Sequence, residues 1–183
     1  MAFGEKLQIG TPAKLEHKFI NQIEAREKSA VDLNPEASRR VSPSVKFYAA
    51  SVTQLPLAEA SVDIVFASNL LEHLERPQVL DCLREARRVL RPGGRILLLQ
   101  PNIRFLVRDY WMFFDHVTPI DDRALCELLT SLGFIVQRCI PRFLPFTMKS
   151  RLPTRPWLIR LYLKVPFAWR WLGGQAYVVA SKR

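Results

Sequence analysis

Short runs of β-branched and aliphatic residues alternate with helix-period segments from residue 28 to residue 140. A chain written that way builds an α/β domain around a mostly parallel sheet, because each helix returns the chain to the edge where the next strand begins. Residues 29–33 (SAVDL) read as a short buried strand stopped by Asn34-Pro35, and residues 45–49 (VKFYA) as a second. Residues 62–68 (VDIVFAS) are almost wholly apolar, as a strand covered on both faces should be. Residues 78–90 place Val79, Leu80, Leu83, Ala86, Val89 and Leu90 on one helical stripe, with Arg84, Glu85, Arg87 and Arg88 outside it. Pro92-Gly93-Gly94 ends that helix and releases residues 95–100 (RILLLQ) as the next strand. Asp121 suits the N-cap of a helix over 122–132, terminated by Gly133. Residues 134–140 and 175–181 read as the last two strands, and residues 19–28 as the end of a helix with no full strand legible before it.

A length of 183 residues suits one domain with a real core, and 49% hydrophobic content excludes a disordered chain. No apolar run reaches the roughly 18 residues of a spanning helix, and residues 1–10 lack the apolar core of a secretory signal. Cys82, Cys126 and Cys139 are odd in number and widely spaced, so neither a disulfide framework nor a zinc site is expected, and a reducing cytoplasm fits. The net charge of +10 is localised: residues 1–137 hold 17 basic and 17 acidic side chains, whereas residues 138–183 hold 10 Lys/Arg and no acid. A neutral body with a basic tail points to a catalytic or binding body beside an anionic surface.

Taken in order, VDLNP (31–35), SVTQLPL (51–57), SVDIVFASNLLEHL (61–74), LRPGGRILLLQPN (90–102) and LLTSLGF (128–134) resemble the class I S-adenosylmethionine-dependent methyltransferases, particularly the small bacterial type-11 group. The order and spacing of the five carry the resemblance, which covers residues 19–140 and the final strand. It implies a Rossmann-like, doubly wound, mostly parallel sheet and S-adenosyl-L-methionine as cofactor. It also implies methyl transfer to a small-molecule, lipid-linked or sugar-linked acceptor.

The same resemblance assigns candidate residues. Asp32 ends the second family strand, where an acid accepts hydrogen bonds from both ribose hydroxyls of a nucleoside, although an Asp before Asn34-Pro35 is also a turn former. Ser51 and Val52 stand where the family flanks the adenine with an acid and an apolar residue; Ser51 equally suits a strand end. Asn69 ends the fourth family strand and would face the amino-acid part of the cofactor. His116, in DHVTPIDD, resembles the segment bordering the substrate mouth and is the candidate base, a role for which histidine suits neutral pH. Its alternative is a structural histidine bonding a loop carbonyl, and His73 is read as structural. Asp63 and Pro92-Gly93-Gly94 are assigned to architecture.

Residues 141–174 form a Pro-rich insertion in which Arg and Lys are interleaved with Phe143, Phe146, Trp157, Tyr162, Phe167, Trp169 and Trp171. Three readings stand: a substrate lid, an element docking on anionic membrane or a lipid-linked substrate, and a groove stacking single-stranded nucleic acid. The aliphatic Leu158, Ile159, Leu161, Leu163 and Val165 favour lipid over bases. The chain departs from the family at its start, where LQIGTPAKLEHK replaces a strand and a glycine-rich turn. The sheet is therefore expected to lack its central strand and to be incomplete at the N-terminus. Two outcomes compete, a competent enzyme and a truncated or non-catalytic relative that docks on an anionic membrane through residues 141–174.

Overall fold

The computed structural model describes residues 6–10, 16–146 and 156–183. Seven strands form one sheet in the order β3-β2-β1-β4-β5-β7-β6. They are β1 (Lys6–Gly10), β2 (Glu27–Asp32), β3 (Val45–Ala49), β4 (Val62–Ser68), β5 (Leu90–Pro101), β6 (Phe134–Leu144) and β7 (Gln175–Lys182). The first five run parallel, and β7 inserts antiparallel between β5 and β6. The Rossmann-like, mostly parallel sheet is as the motifs imply. The missing central strand is a correction: Lys6–Gly10 occupies that place, pairing with β2 on one side and β4 on the other. So short a strand suffices because both ladders are satisfied by neighbours, whatever its own propensity. Residues 11–15, where the glycine-rich turn is wanting in the sequence, lie outside the described residues.

Alternation along the strands builds two cores. Val65, Ala67, Ile96 and Leu98 face one side. There α2 (Arg76–Val89) supplies Val79, Leu83, Ala86 and Val89, and α4 (Asp122–Ser131) supplies Leu125 and Leu129. Phe66, Ala30 and Val45 face the other side and meet Ile20 of α1 (Glu16–Gln22). Asp121 caps α4 as its sequence predicts, accepting from the N–H groups of Arg123 and Ala124 at 2.8 Å each. Gly133 ends that helix at φ +82°. Pro92-Gly93-Gly94 is a bulge inside β5: Leu90 pairs with Val62 and Arg95 with Ile64, and Gly93 takes φ +76° to absorb the extra residues.

The insertion is shorter than its sequence suggests. β6 continues through Pro141 to Leu144, with a register shift between Ile140 and Leu144 that accommodates a residue lacking an N–H. Beyond it, α5 (Pro156–Lys164) and α6 (Pro166–Leu172) lead back to β7. Residues 147–155 lie outside the described residues. Among the described residues no helix is long and apolar enough to cross a membrane.

Candidate active site

Open α/β sheets bind ligands outside the carboxyl ends of their parallel strands, and four of the five candidates stand at that edge. Asp32 is the last residue of β2, and Asn69 follows β4 directly. Ser51 and Val52 lie just past the end of β3, with Ala50 between. The backbone N–H of Ala50 donates to the Asp32 carbonyl at 3.2 Å, so the ends of β2 and β3 are tied together.

Each candidate also does local work. Asp32 Oδ1 accepts from the Asn34 N–H at 2.8 Å, the turn-forming role its sequence allows, and this leaves Oδ2 to accept elsewhere. Ser51 Oγ lies 2.7 Å from Thr53 Oγ1 and accepts from the Thr53 N–H at 3.2 Å. Val52 packs half-buried against the main core. Asn69 takes φ +45°, a left-handed conformation that Asn tolerates better than other side chains, and its Oδ1 accepts from Gln175 Nε2 at 2.7 Å. That bond joins the end of β4 to the start of β7. Non-glycine residues held at positive φ concentrate at functional sites.

Sequence reasoning passes over Leu33, which comes directly after Asp32 and is 72% exposed at this edge. Leu33 thus adds an apolar surface beside the strand-end carboxylate of Asp32. Its only signal is the L of VDLNP, which reads in sequence as the end of a buried strand.

His116 lies apart from these four, in the loop leading to α4, and it is 7% exposed. Its ring stacks on Phe113 at 4.9 Å and meets Tyr110 and His73 edge-on at 4.8 and 4.9 Å. Burial, reinforced by the adjacent His73, holds the imidazole below its ordinary pKa and therefore neutral at pH 7. Its Nδ1 finds no hydrogen-bond partner among the described residues. Glu72 and His73 come from the 3₁₀ turn Leu71–His73 shortly after Asn69. The two segments are stitched together: the Glu72 carbonyl accepts from the Val117 and Thr118 N–H groups at 2.9 and 3.2 Å. The Thr118 hydroxyl donates to the Leu74 carbonyl at 2.6 Å. Sequence spacing gives no sign of this grouping, because His73 and His116 are brought together only by the fold.

Beside the histidines the loop carries Val107, Trp111, Met112, Phe114 and Val117, all exposed. Farther along the same edge, a cleft of ≈ 400 Å³ opens between α3 (Ile103–Leu106), β6 and α6, lined in part by Arg104, Arg142, Arg170 and Trp169. Arg104 is engaged by the buried Asp122 at 2.7 Å. The Arg142 Nε donates to the Gly173 carbonyl at 2.7 Å.

Comparison with known proteins bears on the family and the fold. A methyltransferase domain model matches residues 7–98, half of the chain. A 37.1 kDa uncharacterised protein in a transposon of Streptomyces fradiae is 32% identical over 127 residues, covering 62% of this chain and 36% of the relative. The 27-O-demethylrifamycin SV methyltransferase of Amycolatopsis mediterranei is 38% identical over 81 residues, covering 44% of this chain and 29% of the relative. The chain thus spans about two fifths or less of the length of these curated relatives. Among solved structures, an S-adenosylmethionine-dependent methyltransferase from Archaeoglobus fulgidus superposes with a TM-score of 0.68 at 16% identity, over 97% of this chain and 86% of that one, which is a likeness of fold. With the domain match spanning β1 to β5 and the complete strand order in place, the chain belongs to the class I S-adenosylmethionine-dependent methyltransferases of type 11.

Proposed function

We propose that this chain transfers a methyl group from S-adenosylmethionine to an apolar small-molecule acceptor. The observation that carries the reading is the carboxyl edge itself, where Asp32, Leu33, Val52 and Asn69 offer the groups that the cofactor requires, in strand order. The fit is chemical: Oδ2 of Asp32 can accept from ribose hydroxyls, Leu33 and Val52 offer apolar surface to adenine, and Asn69, whose Nδ2 donates one N–H to Ser68 Oγ, keeps a second N–H for the amino-acid end. Ser51 fits least well, since its hydroxyl is already engaged with Thr53. Once bound, the cofactor supplies an electrophilic methyl on a sulfonium. The chain's own residues orient the two reactants and exclude water, which accounts for much of the acceleration in such transfers. Neutral His116, buried in the loop before α4, is a group suited to receive the acceptor's proton. The exposed apolar side chains of the loop over 107–117 support an apolar acceptor, and the name of the rifamycin relative, which specifies a small-molecule acceptor, supports a small one. Calorimetric titration of S-adenosylhomocysteine into the purified chain tests the reading; saturable micromolar binding is expected, and no binding by a folded sample refutes it.

A second reading concerns where the acceptor is met. α5 and α6 leave Trp157, Leu161, Phe167 and Trp171 exposed beside Arg160, Lys164 and Arg170. That combination favours contact with an anionic membrane, at its cytoplasmic face, and through it a lipid-linked acceptor.

A further inference from the structure

The turn after β4 and the loop before α4 bring three metal-ligating side chains together. Ligand atoms of Glu72, His73 and His116 all lie within 4.8 Å of one another, and His73 Nε2 is 4.0 Å from Glu72 Oε1. The other nitrogen of His73, Nδ1, lies 3.1 Å from the Asp115 carbonyl and 3.2 Å from its carboxylate Oδ2. Two acceptors on Nδ1 fix the N–H there and leave the Nε2 lone pair for the cluster, the support that metal-bound imidazoles ordinarily have. Glu72 is 2% exposed, and buried His116 brings a ring nitrogen with no hydrogen-bond partner among the described residues. Such a nitrogen costs free energy unless something satisfies it. The backbone bonds from Val117 and Thr118 to Glu72, and the Tyr110 hydroxyl donating to the Thr118 carbonyl at 2.5 Å, hold the two ligand-bearing segments in register.

We infer that Glu72, His73 and His116 bind a divalent transition-metal cation, with Asp115 positioning His73. Two imidazoles and one carboxylate suit borderline ions such as Zn²⁺, Co²⁺ or Fe²⁺; Ca²⁺ and Mg²⁺ prefer all-oxygen sites. Bonds of about 2.0–2.2 Å would set the ligand atoms roughly 3.4 Å apart around a tetrahedral ion, so the widest separation closes by up to about 1.4 Å on binding. Three protein ligands leave a position for water or for an acceptor oxygen. The cluster starts three residues after Asn69, at the edge where an acceptor would meet the methyl group. With the ion bound, His116 serves as a ligand and not as the proton acceptor. The site stands on its own geometry and does not depend on cofactor binding.

Titration of the full chain with Co²⁺, followed by visible absorption, tests it. One saturable equivalent with d–d bands is expected, displaced by Zn²⁺. His73→Ala and Glu72→Gln should each weaken binding at least about tenfold. His73 is partly exposed and Glu72→Gln nearly isosteric, so a folding failure of His116→Ala leaves the test intact. The neighbouring thiols of Cys126 and Cys139 are a competing trap. Cobalt there would give an intense sulfur-to-metal charge-transfer band, indifferent to His73→Ala, and that result overturns the inference. So does the absence of saturable binding by a folded chain, or binding unchanged in both variants. S-adenosylhomocysteine titrated into the same sample reports separately: cofactor binding without cobalt binding overturns only the metal site, and the reverse overturns only the methyl-transfer reading.

Discussion

Asp32 has two roles that one substitution separates. Its Oδ1 holds the Asn34 N–H in a turn, whereas the proposed ribose contact needs a second accepting oxygen. Asn keeps the first acceptor and replaces the second with a donor. Asp32→Asn should therefore melt with the wild type yet bind S-adenosylhomocysteine about tenfold to a hundredfold more weakly, the worth of a charge-assisted hydrogen bond; unchanged affinity by calorimetry would leave Asp32 with the turn alone. At this scale the sequence is legible where a residue's role comes from its strand. Motif order puts Asp32, Val52 and Asn69 at the sheet edge, and the edge is where they stand. His116 is legible as a type and not as an environment: its contact with His73 joins segments more than 40 residues apart. Leu33 is not legible, because the exposure of an apolar residue at a strand end is decided by the path of the chain beyond it.

Between residue and molecule, the loop that carries Ser51 and Val52 is held by α2. Arg88 donates to the carbonyls of Leu57 and Leu55 at 2.9 and 3.0 Å and forms a two-point pair with Glu85, whose Oε2 accepts from the Leu55 N–H at 2.8 Å. The hydrogen bonds from Arg88, with a further contribution from the Leu55 N–H, hold the Glu85 carboxyl below its ordinary 4.5 against the opposing effect of burial. A carboxylate whose pKa is lower folded than unfolded stabilises the fold above its unfolded value and loses that contribution as pH falls through the folded one. Glu85→Gln should accordingly cost about 1–3 kcal/mol near pH 7, and the gap from the wild type should narrow on acidification below the ordinary carboxyl pKa. Denaturant melts across pH would expose a gap that stays constant, which would deny the pair its role. The helices are legible because capping and period are local: α4 starts and stops where Asp121 and Gly133 say. β1 is not, since Lys6 and Gln8 break any apolar pattern and the strand is specified by the two ladders it completes. Nor is the extension of β6, because a Pro tolerated at a bulge reads in sequence as a strand's end.

Across the whole molecule the charge is divided as sharply as the sequence indicates, and the fold gives that division a place. Tyr162 donates to the Phe143 carbonyl at 2.7 Å and Trp169 Nε1 to the Tyr162 carbonyl at 2.9 Å, anchoring α5 and α6 to β6. At Gly173, where α6 ends, a Cβ would lie 2.5 Å from the Arg142 carbonyl carbon, so the close approach of α6 to β6 requires glycine. The anchoring uses up Leu158, Tyr162 and Trp169 and leaves Trp157, Ile159, Leu161, Phe167 and Trp171 to solvent. Exposed apolar groups at that density suit a covering surface, and on the membrane reading proposed above the accompanying Arg and Lys, without a single acid, would favour an anionic one. Vesicle binding should then have two separable contributions. The charge contribution should weaken as salt rises from about 0.1 M to about 1 M, because the Debye length falls from about 10 Å to about 3 Å. The apolar contribution should survive salt and disappear in the triple variant Trp157→Ser, Phe167→Ser, Trp171→Ser, whose side chains are outside the core and whose loss should leave the melting curve in place. Flotation with phosphatidylserine vesicles, set against neutral phosphatidylcholine vesicles, reads both contributions. If the chain floats equally with the two lipids, or the triple variant floats like the wild type, then α5 and α6 cover the acceptor and not a membrane.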